Sequence, residues 1–118
     1  MEVLINSLLE ELRNAKHAYK SYKGKLESLP KGSLQAKEIN GSKYYYLVFR
    51  KNGKHISKYL GKELSRRDIE KYEHIKRQRQ VYRKAMKDLK MQIHFLERAL
   101  NASSVRDMLQ GSKKAQGK

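Results

Sequence analysis

The chain has 118 residues, a length that excludes two large cores. It has no cysteine, which excludes a disulfide framework, a thiol nucleophile and a thiolate metal site. Lys and Arg number 28 against 12 Asp and Glu, so the formal net charge is +16 with neutral histidines, and a compact fold of this charge repels itself unless a polyanion neutralises it. No run of about twenty apolar residues exists, which excludes a membrane-spanning helix.

The first predicted element is a helix over residues 3–29. Its apolar residues recur at alternating steps of three and four, which is the seam pattern of a coiled coil. Pro30 disfavours helical structure in the residue before it, and Gly32 loosens the turn that follows, so the helix should end here. The seam consists of Ile5, Leu8, Leu12, Ala15, Tyr19, Tyr22, Leu26 and Leu29.

Residues 33–61 predict a three-stranded antiparallel sheet, because two Asn-Gly pairs, Asn40-Gly41 and Asn52-Gly53, separate three β-forming segments. Asn-Gly favours a two-residue hairpin turn in which both residues need positive φ. Two-residue loops set the register. They place Phe49 opposite Ile56, Leu47 opposite Lys58 and Leu34, and Tyr45 opposite Leu60 and Ala36.

This register sorts the side chains onto two faces, since they alternate along a strand. The face that carries Leu47 and Phe49 is largely aliphatic, and we expect it to rest on the helices. The other face, called the aromatic face below, has no hydrophobic reason to be buried and is therefore expected to meet a partner. It carries Gln35, Lys37, Tyr44, Tyr46, Val48, Arg50, His55, Ser57 and Tyr59.

A second helix is predicted over residues 65–101, with Ser65 as N-cap and Asp68 three residues on as an imperfect capping box. Its apolar seam is interrupted at Gln78 and Arg79. Two such seams predict an α+β fold in which two long antiparallel, coiled-coil-like helices flank the sheet; a homodimer that buries both seams is the alternative. The seam residues are Ile69, Tyr72, Ile75, Tyr82, Met86, Leu89, Ile93, Leu96 and Leu100.

Seven cations lie opposite this seam, with Asp88 as the one acidic residue among them. This excess of positive charge predicts a surface that contacts the phosphates along a nucleic-acid backbone. The alternative is a helix face that is simply exposed to solvent. We expect residues 1–101 to form one domain and residues 102–118 a basic, partly disordered tail. The seven cations, called the basic stripe below, are Lys76, Arg77, Arg79, Arg83, Lys84, Lys87 and Lys90.

The tyrosines of the aromatic face are the sharpest local feature. Tyr46 and Tyr59 lie opposite each other, which stabilises a sheet by about 0.2–1 kcal/mol, whereas a base stacked on an aromatic ring contributes about 1–3 kcal/mol. The four histidines have no metal-ligand spacing, so we expect no metal, no cofactor and no catalysis. The predicted nucleic-acid-binding residues are Lys37, Tyr44, Tyr46, Arg50, Lys54, His55, Tyr59, Lys76, Arg77, Arg83, Lys84, Lys87 and Lys90.

A resemblance to known proteins extends over residues 29–61 and rests on two segments. They are Lys43-Tyr44-Tyr45-Tyr46-Leu47-Val48-Phe49-Arg50-Lys51-Asn52-Gly53-Lys54 and Ser57-Lys58-Tyr59-Leu60-Gly61. It resembles small proteins of bacterial and phage mobile elements. It is also similar to the three-stranded arm-binding domains of tyrosine recombinases and to amino-terminal segments of transposases. The recombinase resemblance implies a sheet that reads DNA in the major groove.

Three functions remain open at this point. The first is direct binding of DNA or RNA by a mobile-element or phage protein. The second is inhibition of a host nucleic-acid-processing complex, in the manner of an anti-CRISPR protein that binds the effector or its guide RNA. The third is a structural coiled coil. The residues Met1 to Leu4 lack the basic and apolar regions of a secretory signal, so we expect a cytoplasmic protein without a membrane partner.

Overall fold

A computed structural model describes residues 2–102 and Asp107 of the chain. The elements are helix α1 (Glu2–Ser28), strands β1 (Ser33–Ile39), β2 (Ser42–Lys51) and β3 (Lys54–Gly61), and helix α2 (Arg66–Asn101). The strands form an antiparallel sheet in the order β1-β2-β3. The predicted α+β class, with two long helices flanking a three-stranded sheet, is confirmed. Apart from Ala102 and Asp107, the predicted tail lies outside the described residues.

The two hairpin turns have the predicted geometry. Asn40 and Gly41 have φ of 52° and 80°, and Asn52 and Gly53 have φ of 53° and 76°. Positive φ at both central residues defines a type I′ turn, whose twist matches that of the flanking strands. Because each loop has two residues, the pairing of the whole sheet follows from the turns.

The register agrees with the prediction except at the end of β3. Leu47 lies opposite Leu34 and Lys58, and Tyr46 lies opposite Gln35 and Tyr59. The predicted pair of Tyr45 and Leu60 is wrong: Tyr45 lies opposite Gly61, because a β-bulge falls between the pairs of Tyr45 and Tyr46. Leu60 is the extra residue of this bulge, and Gly61 has a φ of 147° that a side chain would strain.

Both helices begin and end close to the predicted residues. Ser65 caps α2 as expected, since its Oγ accepts the N–H of Asp68 at 3.1 Å and its carbonyl accepts the N–H of Ile69 at 3.0 Å. Helix α1 ends at Ser28, just ahead of Pro30 and Gly32. The α1 seam is the less exposed side of the helix throughout, with Ile5 and Ala15 buried.

The contacts divide the chain into two compact units. The helical unit comprises Met1–Lys25 and Arg83–Lys118, and the sheet unit comprises Leu26–Tyr82. Among the described residues, the buried hydrophobic side chains all belong to the helical unit. They are Ile5, Ala15, Leu96 and Leu100. In the same unit Lys16 of α1 and Glu97 of α2 form an ion pair with 3.4 Å between Nζ and Oε1.

Candidate nucleic-acid interface

A pair of tyrosine rings forms the centre of the aromatic face. The centroids of the Tyr46 and Tyr59 rings are 5.3 Å apart, and the ring planes are tilted by 53°. The ammonium of Lys37 lies 5.0 Å from the centroid of the Tyr46 ring. Both contacts follow from the register, because Tyr46 is on the central strand with β1 on one side and β3 on the other. Tyr46 is half-buried, whereas Tyr59 is 53% exposed.

Basic side chains of this face are exposed to solvent. They include Lys37 and Arg50, and Arg50 lies opposite the exposed His55 at the second hairpin. Lys54 is exposed as well, but it pairs with Lys51 and therefore lies on the aliphatic face, on the same side as Ile56. Residues 30–62 contain eight Lys and Arg and a single acidic residue, Glu38. Within the described range none of the Lys and Arg side chains of the sheet forms an ion pair. Their charge is therefore available to an external anion.

The aliphatic face is covered only in part. Leu47 packs on the backbone of Gly32, where an added Cβ would lie 2.8 Å from the Cγ and Cδ1 of Leu47. An open groove of about 560 Å³ remains beside Leu47 and Phe49, with Lys31 and Lys58 among its lining residues. The sheet thus presents a half-covered aliphatic face and an exposed aromatic face.

The basic stripe is divided between the two units. Arg83, Lys84, Lys87 and Lys90 belong to the helical unit and are exposed. Lys76 and Arg77 belong to the sheet unit, on the first half of α2, and are exposed as well. Six of the seven predicted positions therefore present their charge to solvent.

Arg79 is the exception, and its assignment to a solvent-facing stripe is wrong. Its Nη2 donates hydrogen bonds to the carbonyls of Pro30, at 2.9 Å, and Gly32, at 3.2 Å. These carbonyls follow the end of α1, where backbone acceptors lack helical partners. The polar interruption of the α2 seam at Arg79 is thus the place where α2 anchors the link between α1 and the sheet.

The model of a protein family described as "Domain of unknown function (DUF6788)" matches residues 5–71, more than half of the chain. The chain belongs to this family. No curated protein and no solved structure matches it. The DUF6788 match contains the whole aromatic face, whereas every residue of the basic stripe comes after it. The resemblance to recombinase and transposase segments stays a prediction.

This DUF6788 chain also has an exposed apolar surface that the predicted seams do not include. Met91 and Phe95 are 65% and 70% exposed, and together with His94, Arg98 and Ala99 they line an open groove on α2. The available signal was their spacing, since residues four apart share one side of a helix and neither residue belongs to the seam. Met91 and Phe95 thus form an exposed apolar surface of the helical unit.

Neither a metal-ion site nor a membrane span is found among the described residues. Within residues 2–102 and Asp107, no three His, Asp or Glu side chains are grouped so that they could hold a metal ion. None of the described helices combines the length and the apolar character needed to cross a membrane.

Proposed function

We propose that this protein binds nucleic acid, through the aromatic face of its sheet and through the exposed cations of the basic stripe. The observation that carries the proposal is the combination of Tyr46 and Tyr59 with Lys37 and Arg50 on one face, where neither cation forms an ion pair and no carboxylate lies beside them. A phosphate backbone supplies the anions that such a face lacks, and released counterions drive the association. We place this activity in the cytoplasm, in a bacterium or a phage-infected cell that carries the mobile element.

Each part of the interface has a distinct task in this proposal. Arg50, Lys54 and His55 lie at the second hairpin and are exposed. They contact phosphates or base edges, and Lys84 and Lys87 contact phosphates alone. Charge is the reason to prefer nucleic acid to a scaffold function. A coiled-coil scaffold gains from mixed-sign faces, whereas residues 76–90 of α2 carry six exposed cations and one acidic residue, Asp88.

The salt dependence of binding tests the proposal. The probe is a fluorescently labelled DNA of mixed sequence, titrated at several salt concentrations. For Arg50→Gln with Lys54→Gln, and separately for Lys84→Gln with Lys87→Gln, we expect weaker binding and a salt slope lower by about two, because each phosphate contact contributes roughly one.

The matched control is Lys20→Gln with Lys23→Gln, which removes the same charge from exposed positions of α1. This variant should retain the wild-type slope. If all three double variants lower the slope equally, binding reflects net charge and not an interface. If wild-type binding is insensitive to salt, phosphate contact itself is rejected.

A further inference from the structure

The two tyrosines at the centre of the aromatic face have different surroundings. Tyr46 lies on the central strand, with the Lys37 ammonium against its ring on one side and the Tyr59 ring on the other. Tyr59 lies on the edge strand β3 and is 53% exposed. Because the two planes are tilted by 53°, the rings do not form one continuous platform. Tyr59 is therefore the ring with free surface, and Tyr46 supports it.

An exposed aromatic ring needs a flat apolar partner. In a duplex the faces of the bases are covered by their neighbours, and the grooves present mainly polar base edges. An unpaired base offers its whole face, and stacking on an aromatic side chain is the usual way in which proteins hold single strands. The ring of Tyr59 thus matches an unpaired base better than a groove.

We infer that the ligand is an unpaired strand of nucleic acid, and that Tyr59 stacks on one of its bases. This inference rests on the proposed function and names its substrate class. Ser57 and His55 are next on the same face of β3, and Arg50 is opposite His55, so the Arg50 guanidinium follows the ring of Tyr59 along the strand direction, and the Lys37 ammonium lies against the neighbouring Tyr46 ring. A strand that passes over Tyr59 would place its phosphates near Arg50 and Lys37.

The test compares two ligands and three proteins. The ligands are a mixed-sequence single strand and a duplex of the same length, at one salt concentration. Tyr59→Leu retains an apolar contact with Tyr46 but lacks a π face, and Tyr59→Phe retains the ring. We expect Tyr59→Leu to bind the single strand about 5- to 150-fold more weakly and Tyr59→Phe to bind it like the wild type.

A base analogue provides a second readout. With 2-aminopurine in the strand, stacking on Tyr59 should change the fluorescence in the wild type and in Tyr59→Phe, and not in saturated Tyr59→Leu. A side chain that only stabilises the sheet would leave this signal unchanged. Thermal unfolding by circular dichroism of all three proteins verifies that the sheet is intact at the assay temperature.

The possible results distinguish a failure of the stacking inference from a failure of the proposed nucleic-acid binding. Equal loss of single strand and duplex in Tyr59→Leu, or no loss at all, overturns the stacking inference while salt-dependent binding still supports the proposed function. Tighter wild-type binding to the duplex than to the single strand overturns the inference as well. A wild-type protein that binds neither ligand overturns both.

Discussion

The helical unit and the sheet unit are stabilised in different ways. The helical unit contains the buried side chains Ile5, Ala15, Leu96 and Leu100, whereas no residue of the sheet unit is fully buried. Burial of apolar area is the main stabilising contribution in a fold, at about 25 cal/mol per Å². The sheet instead depends on two turns with favourable φ, on cross-strand pairs and on the hydrogen bonds of Arg79.

This difference predicts which substitutions each unit can tolerate without losing stability. A unit stabilised by burial loses stability when a core side chain is shortened, and its outer face is free to vary. A unit stabilised by backbone geometry is sensitive at its turns and links, and its faces are open to a partner. The sheet unit thus carries the candidate interface because so little of its side-chain surface is used for folding.

The largest expected effect is a difference in stability between substitutions at two adjacent residues of the helical unit. Leu96 is 6% exposed and Phe95 is 70% exposed. Leu96→Ala should lower the free energy of unfolding by about 2–5 kcal/mol, because it removes buried area and leaves a cavity. Phe95→Ala should change it by no more than about 0.5 kcal/mol, as is usual for an exposed position.

Urea denaturation of both variants measures this contrast. The midpoint should fall for Leu96→Ala with an unchanged slope, and should stay near the wild-type value for Phe95→Ala. A large loss for Phe95→Ala would mean that Met91 and Phe95 are covered in solution.

The next effect tests the link between α1 and the sheet. Arg79→Gln removes the charged donor to Pro30 and Gly32, and should cost about 1.5–3 kcal/mol, the usual contribution of a hydrogen bond to a charged group. Arg77→Gln, two residues away and exposed, should leave stability unchanged.

For nucleic-acid binding we expect the larger effect from Arg77, whereas for stability we expect it from Arg79. Arg77→Gln should lower the salt slope by about one, and Arg79→Gln should leave it unchanged at temperatures where the variant is folded. A lower slope for Arg79→Gln would show that its guanidinium turns away from the carbonyls to meet phosphate.

The smallest effects compare two glycines. Gly24 is inside α1 with nothing within 4 Å of an added Cβ, so Gly24→Ala should stabilise the protein by about 0.5–1 kcal/mol. Gly32 has a φ of 112° and would place a Cβ against Leu47, so Gly32→Ala should destabilise it by about 1–3 kcal/mol.

Thermal unfolding monitored at 222 nm measures both substitutions. Opposite shifts of the midpoint are expected, upward for Gly24→Ala and downward for Gly32→Ala. A stable Gly32→Ala protein would mean that Leu47 can move away, and that the aliphatic face is looser than its contact with Gly32 suggests.

Much of the fold was predictable because the determining signals are local. Asn40-Gly41 and Asn52-Gly53 require positive φ and leave two-residue loops, so the pairing of Tyr46 with Tyr59 follows without any knowledge of the rest. The uninterrupted seam of α1 and the Ser65 cap are local in the same way. The aromatic face could be listed from the sequence for this reason.

Only the tertiary structure decided the features that depend on residues distant in the chain. Gly61, next to Leu60, is compatible with a bulge, but the sequence alone does not place that bulge between the pairs of Tyr45 and Tyr46. Arg79 is a cation like the other residues of the basic stripe, yet its hydrogen-bond partners are backbone carbonyls 47 and 49 residues earlier in the chain. Spacing and residue type determine which side chains share a face, whereas the approach of a second segment determines whether a charge meets solvent or its own backbone.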